Sequence, residues 1–196
     1  MDPDEFWHLI ERSGRETDGK YARAAWLQDA LEQRSAEAII GFDEHIIRAR
    51  RQVDTWLMWG AMRALFHSGS DDGFWYFQMW LVGLGREIFE RVARDPDTLA
   101  DVPEVQRLVT MIHRGRLWAN DDWPEFEFLS YVAGNAWEQV TGQDHDDLCE
   151  ALVARGHELS ALPNPGDEHW ELDDREESAR RLPRINRYMR ELHDRT

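Results

Sequence analysis

The sequence has one cysteine, one lysine and no long apolar run, and each scarcity removes a class of function. Cys149 alone can form neither an intramolecular disulfide nor a multi-cysteine zinc site, and it suits a reducing cytosol, the compartment expected here. The longest apolar run, residues 74–84, is interrupted by Gln78 and falls well short of the ~20 residues of a membrane span. The opening "MDPDEFWHLI" has no basic segment followed by an apolar stretch, so no signal peptide is expected. Gly-x-x-x-x-Gly-Lys-Ser/Thr, Gly-x-Ser-x-Gly and His-x-x-x-His do not occur, and "GLGRE" lacks the preceding strand of a dinucleotide fingerprint. Glu5 and His8 form one Glu-x-x-His where a di-iron bundle needs two. Neither a metal nor a cofactor is expected, and no enzyme motif stands out.

What the chain does carry is acid and aromatic rings. Asp and Glu number 39 against 23 Lys and Arg, for a formal net charge of −16, and there are 10 tryptophans. Such a surface repels phosphate backbones and anionic membranes. Direct nucleic-acid binding and membrane binding are therefore not expected, whereas a basic protein is the partner class the charge suits. At 196 residues and 42% hydrophobic, the chain can bury one sizeable core.

Val and Ile are sparse, alternating segments are missing, and turn residues cluster between windows of helical period, so the fold class expected is all-α. The pattern predicts a single-domain irregular bundle. Helices are expected near residues 2–12 and 19–34, over a long stretch at 36–66 with a bend or break near "RARRQ", and over a central apolar helix at about 71–93. Further helices are expected at 104–114, at 124–141 with Phe128, Leu129, Val132, Ala136 and Val140 buried, and at 144–155. Gly83 and Gly85 cost about 1 kcal/mol each in a helix interior, so close approach by a backbone or bulky ring is expected there. Residues 1–160 read as the helical domain. Residues 161–196 read as an acidic loop and a mildly basic helical arm, broken or restarted at Pro183, that packs through Leu182, Ile185, Tyr188, Met189 and Leu192.

The stretch "TWLMWGAMRALFHSGSDDGFWYFQMWLVGLGREIFE" resembles the bacterial domain-of-unknown-function family 4240. That family shows an N-terminal "EFW", a tryptophan-bearing helix, a "CSDDxFxYFRxWLIxxGRE"-like segment and a late aromatic-rich helix. Here these correspond to Glu5, Phe6 and Trp7, to Trp56 and Trp59, to residues 70–87 and to residues 128–142; the likeness spans about residues 1–160. The chain departs by carrying Gly69 where a cysteine is common and Gln78 where an arginine is common. The resemblance implies an all-α fold and brings no activity.

Candidate sites each have a plain reading beside a functional one. Asp71 and Asp72 after Ser70 can cap a helix and orient a loop, or form a carboxylate site; a helix N-terminus lowers carboxylate pKa values, which suits a ligand or nucleophile better than a proton donor. Glu127, Tyr131 and Glu138 share a helix face, either solvated or lining an acidic pocket with Asp71, Asp72 and His45. Trp118, Trp123 and Trp170 lie in loops among acids, where rings fold under as lids or stay exposed to take a cation, a sugar or a partner peptide. Cys149 reads as a small core residue. Three functions follow: an interaction or regulatory module (an immunity-type protein would be one version) binding a basic partner; an enzyme or small-ligand binder with a carboxylate-lined aromatic pocket; or a structural subunit whose arm swaps between protomers.

Overall fold

The computed structural model describes residues 1–67, 69–160 and 162–194, and among them there are helices and turns but no strand. No described helix is long and apolar enough to cross a membrane. Helix α1 (Pro3–Glu16) starts where Asp2 accepts from the Glu5 amide at 2.8 Å, and it buries Phe6, Trp7, Leu9 and Ile10. Helix α2 (Lys20–Glu32) is tied to it by Arg23, whose guanidinium donates to Ser13 Oγ and to the carbonyls of Ile10 and Gly83.

The stretch expected as one helix over residues 36–66 is two, α3 (Ala36–Val53) and α4 (Trp56–Phe66). The break falls at Asp54 and Thr55, a few residues beyond "RARRQ". Two side chains cause it, one local and one distant in the chain: Thr55 turns its hydroxyl to the Met58 amide at 3.0 Å, and Asp167 accepts from the Trp56 and Leu57 amides. Two side chains thus satisfy the opening amides that a continuous helix would have bonded internally. The Asp54 carboxylate turns inward. It accepts from Gln78 Nε2 at 2.9 Å, the Asn164 amide at 2.9 Å and Arg50 Nη1 at 3.4 Å, while Arg50 lies over the Trp75 ring at 3.9 Å. Burial pulls the Arg50 pKa down, with Asp54 opposing it. Gln78 itself is fully buried, at the position where an arginine is common in the family it resembles.

Helix α5 (Asp71–Gly83) is apolar and enclosed: Phe74, Phe77, Met79, Trp80, Leu81 and Val82 are all buried. The expected single helix over 71–93 is corrected to α5 and α6 (Arg86–Arg94), because Gly85 adopts φ +92°, a conformation L side chains rarely take. Glu11 then meets the Arg86 amide. Gly83 does meet a bulky ring: a Cβ there would lie 3.1 Å from Phe126. Trp59 stacks on Phe74 with centroids 4.6 Å apart, and on Trp56 at 5.3 Å.

A 3-10 turn, Pro96–Asp101, leads to α7 (Pro103–His113). The segment expected as a helix from 124 is a 3-10 turn, Glu127–Tyr131, followed by α8 (Val132–Thr141). That change of pitch alters its face: Phe128 is exposed and Phe126 is buried instead, while Val140 is exposed in the last turn of α8. After α9 (His145–Ala154), the chain returns as α10 (Arg175–Arg181) and α11 (Pro183–His193), restarted at Pro183. Asp97 receives the opening amides of α11, from Arg184 at 2.8 Å and Ile185 at 2.9 Å. Leu182, Ile185 and Trp170 join the same apolar cluster as Phe74 and Leu27.

Candidate functional site

Most large apolar side chains are inside, so the exposed ones are informative. Tyr21, Trp123, Phe128 and Tyr131 remain 73%, 45%, 43% and 47% accessible, and they adjoin one another. Tyr21 meets Phe128 edge-on at 5.6 Å; Phe128 and Trp123 line one shallow cleft of about 410 Å³ together with Lys20, Asn120, Glu125 and Glu127; Tyr131 donates to Glu127 Oε1 at 2.9 Å. Tyr76, from α5, donates to the same oxygen at 3.2 Å. Desolvation first, then Tyr131 and Glu127, raises the Tyr76 phenol pKa, while its bond to Glu127 raises that of Tyr131. Both phenols stay protonated donors, holding Glu127 in place.

The sole lysine lies at this surface. Lys20 Nζ donates to the carbonyls of Trp123 and Asn120, and its amide donates to Asp121 Oδ1 at 3.0 Å. Desolvation lowers its pKa, while Asp121, Glu125, Asp122 and Glu104 pull it back up. Burial raises the Glu125 pKa, against Lys20. Asp122 is fixed by Arg107 at 2.8 Å and the Ala119 amide at 3.0 Å, which together hold its carboxyl below the usual range. Aromatic faces beside partly desolvated carboxylates are what an organic cation needs: a π-face for its body and an acceptor for its charge.

The model of the protein family described as "Protein of unknown function (DUF4240)" matches residues 1–139. The chain belongs to that family. No curated protein and no solved structure matches it. All the ring and carboxylate residues of this surface, from Lys20 to Tyr131, fall within the DUF4240 region; His145, Cys149 and Trp170 fall beyond it.

The residues singled out from the sequence do not form one pocket. Glu127 and Tyr131 are brought together, and Trp123 is beside them. The cleft Glu127 lines contains none of Asp71, Asp72, Glu138 or His45. Asp71 and Asp72 are exposed in the first turn of α5, behind the Ser70 cap on the Gly73 amide. Glu138 is exposed on α8. His45 stacks on Phe6 at 5.1 Å with Nε2 3.1 Å from the Met1 carbonyl, an α1–α3 contact. Trp118 packs edge-on against Phe66 and Trp123 and donates to the Leu108 carbonyl.

Trp170 is folded under and is not an exposed ring: it is 5% accessible, seated against Gly60, where an added Cβ would collide with its ring. Among the described residues no group of three or more His, Cys, Asp or Glu is placed to hold a metal ion. Sequence reasoning missed Tyr21 and Phe128 as surface rings. Lys20 carried the one available signal, as the single lysine in a strongly acidic chain.

Proposed function

We propose that this protein is an interaction module that binds a basic protein segment through the Tyr21, Trp123, Phe128 and Tyr131 surface. The observation that supports the reading is the adjacency of four exposed rings to Glu125 and Glu127, with Asp121 bonded to the neighbouring Lys20 amide, in a chain of net charge −16. Arginine or lysine side chains of a partner would lay their stems on the rings and their charges on the acids. The field of the whole molecule would speed the encounter and make it salt-sensitive.

A fluorescent arginine–glycine repeat peptide, titrated at low and high salt, tests the reading. Replacing Trp123 and Phe128 together by Ala is expected to weaken binding by about tenfold, the usual scale of aromatic anchors. Replacing two exposed apolar residues elsewhere, Val153 and Leu162, should change it by less than about twofold. Equal binding by the ring-deleted variant and the wild type would overturn the proposal, because net charge alone would then account for the affinity.

A further inference from the structure

A second cavity, of about 450 Å³, lies between α3, α5 and α9 and takes no part in that surface. Its floor is one face of α3: Asp43, Ile46, Ile47 and Arg50 follow at steps of three, one and three, the spacing that brings side chains onto one side of a helix. Met79 and Trp75 close it from α5, and His145 stands at its α9 side.

Its polar groups are unequally provided for. Arg50 is paired with Asp54 and covered by Trp75, so that end is already balanced. Asp43 is half-buried and receives no hydrogen bond from any described residue, and Ser130 Oγ is buried without a partner. Burial drives the Asp43 carboxyl up to about 6, with His145 pulling the other way. Asp43 lies at the cavity wall, and a partly desolvated carboxylate with no protein donor is stabilised by a cation or donor that reaches it. An anionic guest would instead meet Asp43 and Glu158 on the wall, against an Arg50 already neutralised.

We propose that this cavity is a binding site for a small organic amine in its ammonium form, the head pairing with Asp43 and the aliphatic or aromatic body lying against Ile46, Ile47 and Met79. The cavity volume falls in the ordinary range for small-molecule sites, apolar walls with a few placed polar groups. Ser130 Oγ supplies a second acceptor, and the negative field of the chain concentrates cations at the mouth.

Matched probes test it by calorimetry and amide NMR near neutral pH: pentylamine and phenethylamine, their carboxylate counterparts pentanoate and 3-phenylpropionate, and neutral pentanol. The amines are expected to saturate with Kd values of about 1 mM or tighter, at least about tenfold tighter than pentanol, with no saturable binding of the acids. Asp43→Asn should lose about tenfold or more in amine affinity with its NMR fold signature intact, and Ile47→Trp should block the cavity. Asp146→Asn, which removes the same charge from α9 outside this cavity, should change affinity by less than about twofold. Four results would each overturn the proposal: no saturation by either amine, equal binding of the acids, full affinity in Asp43→Asn, or an equal loss in Asp146→Asn.

Discussion

Two groups of aromatic rings in this chain meet opposite ends. Around α5, Trp59, Phe74, Phe77 and Trp80 are buried and stacked at 4.6–5.6 Å. Between α2 and α8, Tyr21 meets Phe128, Trp123 shares a cleft with Phe128 and Glu127, Tyr131 bonds to Glu127, and yet all four rings stay exposed. Composition does not separate them; the backbone beneath them does. The first group hangs from regular helices that turn toward a shared centre. The second hangs from the edge of α2, a loop and a 3-10 turn, where three residues per turn rather than 3.6 swings Phe128 away from Leu129's side. Rings in the first group contribute to folding free energy, and rings in the second remain available to something else.

The most severe test of that contrast is Phe74→Ala against Phe128→Ala. Truncating fully buried Phe74 should cost about 3–5 kcal/mol of unfolding free energy in urea, from lost transfer energy and the cavity left behind. Truncating Phe128 should cost under about 1 kcal/mol, as surface changes do. Comparable losses would mean that the outer rings are a second core.

The same contrast recurs between two acids of one segment. Asp54 accepts from Arg50, Gln78 and the Asn164 amide, and is 7% accessible. Asp54→Ala strands a buried guanidinium and an amide, and should destabilise by about 3 kcal/mol. Asp43 is half-buried without those donors, and its replacement should act with the opposite sign. Its folded pKa, about 6 against an ordinary 3.8, means the native state holds the proton more tightly. Stability is then favoured at low pH and falls as pH rises across the interval from about 4 to about 6. Asp43→Asn removes that penalty, so thermal or urea unfolding near pH 7.5 should show a gain of about 1–3 kcal/mol that nearly vanishes at about pH 4. A loss at pH 7.5 would show that Asp43 has a donor after all.

How much of this could be read in the sequence divides along the same line. Asp2, Ser35 and Ser70 announce helix starts by side-chain caps acting over three residues, Pro183 does so by its fixed φ at the first helical position, and the structure has them there. Glu127 and Tyr131 are four apart, which the turn preserves as a hydrogen bond. What could not be read depends on partners distant in the chain. Trp170 sits in a Pro- and Gly-rich loop with no period of its own, and its burial is decided by Gly60. The break after α3 depends on Asp167 supplying carboxylate oxygens to the start of α4. Asp43, beside the apolar Phe42 and Ile46, looks like any solvated acid until α9 is folded across it.

The smallest expected effect falls on the pair that most invites a catalytic reading. Asp71 and Asp72 lie exposed in the first turn of α5, with Ser70 already capping the Gly73 amide. Their favourable term is attraction to the positive end of the helix, about 0.3–1 kcal/mol each and screened by salt. Asp72→Ala should therefore lower unfolding free energy by that amount at low ionic strength and by less at high salt. It should leave both the arginine-peptide affinity and the amine affinity unchanged, because neither the Glu127 cleft nor the Asp43 cavity includes it. A loss of either affinity at unchanged stability would move the pair out of helix capping and into one of the two proposed sites.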